Sequence, residues 1–214
     1  MALVVPPSYC DALPHCAALI ERAKQNPASE VEGKLGFFDG RGGFDSGVPL
    51  QTFNKLLVRM ASSTAWDRVV EWQESQDFYF ENNLRGTQPA EGDAQFVTKQ
   101  LVEHLNLRAP ERTLALRISC KTEDPAQPIT AYPQLVRIKK RKEFHYREFV
   151  FCFTYVYQGR TLAEAQAKQP RYEIEVECTD LQHPKGSEYL ALSLLLKLGD
   201  LLDQQTSPLH LEVV

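Results

Sequence analysis

The chain has 214 residues, of which 43% are hydrophobic and 24% are charged, and its formal net charge is −4. This length and this balance are typical of one globular domain with a real hydrophobic core, and they exclude a disordered chain. Because the net charge is negative, no global basic field can hold nucleic acid, and any phosphate binding must be local. We therefore predict a single domain over residues 1–214.

The cysteines and the amino-terminal segment indicate a reducing, intracellular environment. The five cysteines are odd in number and form no Cys-x-x-Cys pair, which argues against a disulfide framework or a zinc knuckle. The first residues, MALVVPPSYC, lack the basic segment of a signal peptide, and no apolar run approaches membrane-spanning length. We expect an intracellular protein with no membrane partner.

Apolar residues recur at helical spacing in the first third of the chain. The residues from Asp11 to Lys24 predict an amphipathic helix, and the segment SEVEGKLGFF after it alternates as a strand does. The segment PLQTFNKLLVRM predicts a second helix with Leu50 and Phe53 on its apolar face. The following TAWDRVVEWQ is interpreted as an extension of that helix or as a further short one. These helices should cover a larger apolar surface.

From Asp77 onward, short alternating segments predict strands. These segments are DFYFE, LRGT, LALRISCKTE, LVRIKKRKEF, EFVFCFTYVYQG and RYEIEVEC. Their spacing favours an antiparallel meander or barrel over strand-helix-strand units, and FVTKQL between them is treated as a loop. The Leu-rich segment GSEYLALSLLLKLGDLLDQQ predicts a last helix that docks on the sheet.

Charges of one sign share the faces of single predicted strands. Because side chains alternate along a strand, acids cluster on the first and last strands and bases on another. The residues are Glu30 and Glu32, then Glu173, Glu175 and Glu177, and finally Arg137, Lys139 and Arg141. Alone, the acidic segment is more typical of a strand with a solvated charged face, and RIKKRK of a basic surface or a nuclear-import signal. Two carboxylates about 5 Å apart, however, repel by roughly 3 kcal/mol at an effective dielectric of about 20, so such clusters require a cation.

The opposite faces of these strands are apolar. In EFVFCFTYVY, aromatic residues alternate with smaller ones, and amphipathic helices are available to cover them. The economical arrangement is a closed sheet with apolar sides outward and charged sides inward. Such a polar tunnel offers carboxylates to Mg²⁺ or Mn²⁺ and Arg or Lys donors to phosphate. The sequence therefore predicts an α+β fold, a closed antiparallel β-barrel with flanking helices around a triphosphate site.

Two motifs carry a family resemblance. The segment EVEGK from Glu30 to Lys34 resembles the Glu-x-Glu-x-Lys signature of the triphosphate tunnel metalloenzymes. The segment YEIEVE resembles the terminal Glu-x-Glu-x-Glu strand of their metal-dependent mRNA-capping RNA 5′-triphosphatases, and the resemblance runs from about Ser29 to Cys178. It implies an eight-stranded barrel, a nuclear location and removal of the γ-phosphate from the 5′-triphosphate end of nascent mRNA. It also implies metal-dependent hydrolysis of nucleoside triphosphates.

The resemblance further implies roles for the acidic residues. Glu30, Glu32 and Glu177 would bind Mg²⁺ or Mn²⁺, and Glu173 and Glu175 would support that site. Two other acids complete the set: Glu123 would orient or deprotonate the attacking water, and Asp77 would contact the metal through water.

The basic residues resemble the phosphate-binding residues of the same family. The γ-phosphate would be bound by Arg85, Lys139 and Arg141, with Arg137 and Lys121 nearby. Lys99 in FVTKQL resembles another tunnel lysine.

One strand departs from the family pattern, and alternatives stay open. The family usually places Arg, Asp and Thr at alternate positions after the basic strand, but here only Thr154 fits, with Cys152 and Val150 in place of the acid and the base. One alternative is a small-molecule triphosphatase acting on thiamine triphosphate or inorganic triphosphate, and another is a non-catalytic polyphosphate- or RNA-binding barrel. The terminal Glu-x-Glu-x-Glu favours the capping branch. Because no Lys-x-Asp-Gly guanylyltransferase motif occurs, we expect a separate guanylyltransferase as partner.

Overall fold

The computed structural model describes residues 5–39, 41–202 and 209–214. Its helices are α1 (Ala12–Ala23), α2 (Leu50–Ala61), α3 (Leu162–Ala167) and α4 (Gly186–Leu202), preceded by a 3₁₀ turn over Pro7–Tyr9. Its strands are β1 (Ser29–Phe38), β2 (Phe44–Asp45), β3 (Gly47–Val48), β4 (Arg68–Tyr79), β5 (Leu84–Pro89), β6 (Gln95–Arg108), β7 (Ala115–Pro125), β8 (Leu135–Tyr146), β9 (Phe149–Gly159), β10 (Arg171–Cys178) and β11 (Glu212–Val213). Among the described residues, no helix has both the length and the apolar character needed to cross a bilayer.

Eight of the strands form a sheet that closes on itself. Antiparallel pairing runs in the order β1, β7, β6, β5, β4, β8, β9, β10, and β10 then pairs with β1. The short strands β2 and β3 pair with the end of β1 and the start of β10, so that Ser46 between them connects these two neighbouring strands at one end of the barrel. The predicted α+β fold with a closed antiparallel barrel is confirmed. Closure leaves no free edges in the barrel wall.

The wall separates a charged interior from an apolar exterior. Along β1, the side chains of Glu32 and Lys34 face the interior, whereas Val31 and Leu35 are buried in the hydrophobic core outside the wall. Gly33 also points outward, where a Cβ atom would lie 2.4 Å from Leu198 Cδ1 of α4. Glycine at this position therefore lets α4 dock directly on the wall.

Aromatic residues fix a second helix, α2, beside α4 on the outer face of β9 and β10. The Phe53 ring of α2 lies 5.4 Å from the Phe153 ring and 5.1 Å from the Tyr155 ring, both edge-on. Such geometry is favourable for aromatic pairs. The prediction that amphipathic helices cover the apolar face of β9 is confirmed.

Two sequence-based assignments are wrong. The segment RVVEWQ is not helical but begins β4, because Val69, Val70 and Trp72 favour a strand once β8 supplies a pairing partner. The segment FVTKQL is not a loop but lies in β6, whose 14 residues pair with β5 and β7. The helices predicted at Asp11–Lys24, from Leu50 and from Gly186 are confirmed, and residues 203–205 of the last one lie outside the described residues.

Candidate active site

The interior of the barrel is a cavity of about 580 Å³ whose walls are mostly charged. Every metal, catalytic and phosphate-binding residue predicted from the sequence lines it. The acids among them are Glu30, Glu32, Asp77, Glu123, Glu173, Glu175 and Glu177, and the bases are Arg85, Lys99, Lys121, Arg137, Lys139 and Arg141. Residues more than a hundred positions apart in the chain therefore meet in one tunnel because alternate positions on each strand face inward.

Three carboxylates come together where β10 meets β1. Glu32 lies directly opposite Glu177 in this pairing, and Glu175 lies opposite Lys34. Each of Glu32, Glu175 and Glu177 offers one oxygen atom within 4.8 Å of the others. Glu30 is not part of this cluster: its side chain is 44% exposed and its Oε2 accepts a hydrogen bond from Lys99 at 2.8 Å.

The three carboxyl groups differ in pKa. Burial and the like charges of Glu175 and Glu32 raise the pKa of Glu177, although the Arg141 guanidinium opposes this. Burial would also raise the pKa of Glu175, but Lys34 and Arg141 hold it well below its ordinary value. Lys34 and Lys121 likewise outweigh the effect of burial on Glu32 and lower its pKa. The cluster thus carries mutual repulsion that a bound cation would relieve.

The donor set fits a hard divalent cation. Magnesium and manganese prefer carboxylate and water oxygens, and these glutamates supply only oxygens. Glu32 and Glu175 are only 5% and 4% exposed, so water would neutralise their charge poorly. Glu32 and Glu177 belong both to this cluster and to the ligand set predicted from sequence.

The β8 cations cross the lumen toward these acids. Arg141 donates to Glu177 and to Glu175, each at 3.0 Å, and its Nε lies 3.3 Å from Thr154 Oγ1. Arg137 donates to Glu173 at 2.7 Å. Lys139 forms an ion pair with the fully buried Asp77.

Glu123 occupies a second position rich in cations. Arg85 donates to its two oxygens at 2.8 and 3.0 Å, and Lys99 donates to Oε1. Burial would raise the pKa of Glu123, but Lys99 and Arg85 hold it below its ordinary value. An ionised carboxylate beside two cations can hold a water molecule and accept its proton.

Every cation that lines the tunnel is neutralised by a carboxylate of the same tunnel. The pairs join Lys34 to Glu175, Arg85 to Glu123, Lys99 to Glu30, Lys121 to Glu32, Arg137 to Glu173, Lys139 to Asp77 and Arg141 to Glu175. A tunnel lined by such ion pairs can bind a metal ion and a polyanion together. The metal ion takes the place of a cation beside a carboxylate, and the polyanion takes the place of a carboxylate beside a cation.

The β9 wall contains the departure seen in the sequence. Thr154, Cys152 and Val150 are buried and lie opposite Arg141, Glu143 and His145 of β8. Of these partners, Arg141 and Glu143 line the tunnel, so Thr154 and Cys152 lie on the inner face of the wall beside them. Burial and the nearby Glu177 raise the pKa of the Cys152 thiol well above its ordinary value. Cys152 is therefore a small neutral side chain here, which leaves room for the Arg141 guanidinium to reach β10.

Lys34 and Glu143 are charged tunnel residues to which the sequence analysis assigns no role. Lys34 is the lysine of the Glu-x-Glu-x-Lys motif, and its ammonium lies 3.3 Å from Glu32 and also contacts Glu175. Glu143 lines the tunnel one alternate position beyond Arg141 and accepts a hydrogen bond from His145 at 2.9 Å. Extending the alternation of VRIKKRK by two residues would have found Glu143.

A closed antiparallel barrel with a carboxylate cluster facing arginines and lysines defines a triphosphate tunnel enzyme. Residues 55–191 match the family described as "mRNA capping enzyme, beta chain". The chain belongs to this family, whose members are RNA triphosphatases. A search of curated protein sequences gives no significant match.

Solved structures share the fold at low identity. The S. pombe Pct1 RNA triphosphatase is 18% identical, with 96% of each chain covered and a TM-score of 0.72. The RNA triphosphatase domain of a trifunctional mimivirus mRNA capping enzyme is 14% identical, with 90% of this chain and 96% of that chain covered and a TM-score of 0.65. Another structure shows the S. pombe protein in complex with the Spt5 CTD, at 17% identity over 96% of each chain and a TM-score of 0.72.

Proposed function

We propose that the tunnel hydrolyses the β–γ phosphoanhydride bond at the 5′-triphosphate end of nascent mRNA and leaves a diphosphate end for capping. The observation that carries this proposal is the meeting of the Glu32–Glu175–Glu177 cluster with the β8 cations in one cavity. Glu32 and Glu177 would hold Mg²⁺ or Mn²⁺, with Glu30 or Glu175 as the third carboxylate. When bound, the metal neutralises charge on the phosphate oxygens.

Different tunnel residues bind the γ-phosphate and activate the water molecule. Arg141, Lys139 and Arg85 exchange their carboxylate partners for γ-phosphate oxygens and stabilise the charge that develops there. Glu123 orients a water molecule, whose oxygen bonds to the γ-phosphorus while the bond to the β–γ bridging oxygen breaks. The water proton passes to the Glu123 carboxylate, and the electron pair remains on the diphosphate.

The surrounding residues keep these groups in place. Arg137 is held by Glu173 and adds a positive charge near the γ-phosphate-binding cations. Lys121 is bound to Glu32 and therefore lies beside a proposed metal ligand. Asp77 fixes Lys139 and accepts a hydrogen bond from Thr87 at 3.0 Å. By the family resemblance, Asp77 would also contact the metal through water.

The cellular setting is part of the same proposal. Removal of the γ-phosphate precedes guanylyl transfer, so we place the protein in the nucleus with a separate guanylyltransferase for the next step. The trifunctional mimivirus enzyme and the complex of the S. pombe protein with the Spt5 CTD support a place within capping machinery.

Phosphate release from γ-labelled triphosphate-ended RNA, with and without Mg²⁺ or Mn²⁺, tests the proposal. We expect release only with metal, and we expect Glu32→Ala and Glu177→Ala to abolish it while the protein stays folded. Comparison of Glu30→Ala with Glu175→Ala identifies the third carboxylate, since only loss of a ligand weakens Mn²⁺ binding in the absence of RNA. Near-normal turnover of Glu32→Ala with unchanged metal dependence contradicts the metal assignment.

Competition among substrates separates the remaining functions. Contacts confined to metal and phosphates do not distinguish RNA from a nucleotide, so we expect hydrolysis of ATP and GTP with Mn²⁺ as well. The measurement is kcat/KM for triphosphate-ended RNA, ATP, thiamine triphosphate and inorganic triphosphate with one metal. A large preference for thiamine triphosphate or inorganic triphosphate overturns the capping function, and absence of any phosphate release indicates a binding barrel.

A further inference from the structure

The charged face of the tunnel wall continues beyond the cavity along β1, β7 and β6. In the strand pairing, Lys34 of the tunnel lies opposite Arg117, which in turn lies opposite Asn106. One alternate position farther along β6 is Arg108, and the end of β1 carries Phe38 opposite Phe44 of β2. We call Phe38, Phe44, Arg108 and Arg117 the arginine–phenylalanine platform.

Ring and guanidinium contacts hold the platform together. The Arg117 guanidinium carbon lies 4.8 Å from the centroid of the Phe44 ring, and that of Arg108 lies 5.6 Å from the Phe38 centroid. The two rings meet edge to face with their centroids 5.5 Å apart. Arg117 Nε also donates a hydrogen bond to Asn106 Oδ1 at 2.8 Å. Two planar cations are thus fixed over two rings on one surface.

Gly36 allows β2 to fold onto this surface. A Cβ atom at Gly36 would lie 2.8 Å from the Phe44 ring and 2.1 Å from the backbone oxygen of Asp45. Real Cβ atoms do not approach other atoms so closely, so only glycine fits. The chain continues through Ser46 to Gly47 of β3, which pairs with Glu173 of β10, and Ser46 donates to the Glu173 carboxylate at 3.2 Å. The platform is therefore built at a mouth of the tunnel.

The platform differs from the tunnel in its electrostatics. All seven cations lining the tunnel have carboxylate partners, whereas within the described residues neither Arg108 nor Arg117 forms an ion pair. Burial without such a partner lowers the pKa of Arg117. These two positive charges remain available for an anion that comes from outside.

We propose that the arginine–phenylalanine platform binds the first nucleotides of the RNA whose triphosphate lies in the tunnel. The guanidinium groups contact the phosphodiester backbone, and their planes, supported by the phenylalanine rings, stack against an unpaired base. This inference rests on the proposed function, because it names the part of the substrate that the tunnel leaves outside. With only two free arginines, the platform holds one or two nucleotides, which fits the net-acidic chain.

The platform provides selectivity that the tunnel lacks. A free nucleoside triphosphate has no phosphodiester beyond its ribose, so contacts at Arg117 and Arg108 favour an RNA end over ATP. Removal of a phosphate contact weakens RNA binding and reduces its dependence on salt concentration.

The test compares substrates in matched variants of the full chain. Arg117→Ala and Arg108→Ala are assayed with triphosphate-ended RNA of five nucleotides and with ATP, and Arg160→Ala, at an exposed arginine outside the platform, serves as control. We expect kcat/KM for RNA to fall about tenfold in each platform variant, mostly through KM, while kcat/KM for ATP stays within about twofold. Arg117→Lys should restore part of the loss, because it retains the charge but not the stacking plane.

Other outcomes contradict the inference in distinguishable ways. Equal losses with RNA and ATP place Arg117 in triphosphate binding or in folding, and no loss with either substrate removes the platform from RNA recognition. Fluorescence anisotropy with a ten-nucleotide RNA that carries a 5′-hydroxyl group gives a readout independent of hydrolysis. If the wild type releases no phosphate but binds this RNA through Arg117, the proposed function fails and the platform stands. If the platform substitutions change neither measurement, the surface serves another partner, such as an acidic peptide.

Discussion

Glu143, which lines the tunnel, lies directly opposite the buried Cys152 in the pairing of β8 with β9. Cys152 in turn lies opposite Glu175 of β10, so one row across three strands reads acid, thiol, acid. The family pattern would place an acid at Cys152. Here the neighbouring strand supplies a carboxylate at the adjacent position, and Arg141 interacts with the acids on both sides of the thiol.

This arrangement predicts that a carboxylate at position 152 can replace the one at Glu143. We expect Glu143→Gln to lower kcat/KM about tenfold, because Arg141 and the lumen lose a nearby negative charge. Cys152→Asp in the same protein should restore most of the activity, whereas Cys152→Asp alone adds repulsion beside Glu175 and lowers activity. Steady-state kinetics of the three variants provide the measurement. If the double variant were no more active than Glu143→Gln, the negative charge of Glu143 would not be the source of its contribution to kcat/KM.

Removal of Lys121 should strengthen metal binding in the absence of RNA. The Lys121 ammonium is bound to Glu32 and competes with a metal for the same carboxylate. Burial and the nearby Lys34 lower the pKa of Lys121, so this side chain is held under repulsion. We expect Lys121→Met to raise Mn²⁺ affinity about tenfold by calorimetry, with Lys24→Met as a surface control. An unchanged Mn²⁺ affinity would mean that displacing the Lys121 ammonium from Glu32 adds no free-energy cost to metal binding.

Truncation of the β8 cations should act on turnover. We expect Arg141→Ala and Lys139→Ala to lower kcat about a hundredfold, because a charge that stabilises the developing γ-phosphoryl oxygens is lost from the transition state. Lys24→Ala, at a lysine paired with Glu21 on α1, should leave kcat within about twofold. Small and equal effects on kcat at all three positions would support the alternative that RIKKRK is a solvated basic surface.

The Asp77–Lys139 pair predicts a stability change at low pH. Burial would raise the pKa of Asp77, but Lys139, Arg85 and Thr87 hold it below its ordinary value. A lowered carboxyl pKa contributes stability that is fully present above the unfolded value, near 3.9, and is lost as pH falls through the folded value. We expect Asp77→Asn to cost about 3 kcal/mol at pH 7, since it leaves Lys139 unpaired.

Urea unfolding at several pH values checks this prediction. The difference between wild type and Asp77→Asn in free energy of unfolding should shrink below about pH 4. Lys140→Met, which removes an exposed partner of Glu74, is a matched control with little effect at any pH. A difference that stays constant from pH 7 to pH 3 would exclude an ionised Asp77 as its source.

Alternation was enough to predict the barrel and most of its charged interior. The glutamates at 173, 175 and 177 can face only one side of a strand, and acids that repel one another indicated a cation at the centre. The same argument failed for β4 and β6, because residues 66–74 and 95–108 have mixed patterns whose strand state depends on pairing with distant partners.

The partners within the tunnel could not be predicted from the sequence. That Glu175, rather than Glu30, lies beside Glu32 and Glu177 depends on the register between β1 and β10 and on the position of Lys99. Likewise, the platform depends on β2 folding back over Gly36, a contact between backbones that no periodicity records.

Because the barrel wall is one strand thick, neighbouring residues on a strand are under selection for different properties. On β1, Glu32 belongs to the chemistry of the lumen, whereas Val31 and Gly33 on either side of it belong to packing under the helices. A saturating mutational scan scored by cellular abundance would therefore tolerate many changes at Glu32 that a scan scored by growth rejects. Plotted along each strand, the two scores would alternate with a period of two residues, and their divergence would trace the lumen without a structure.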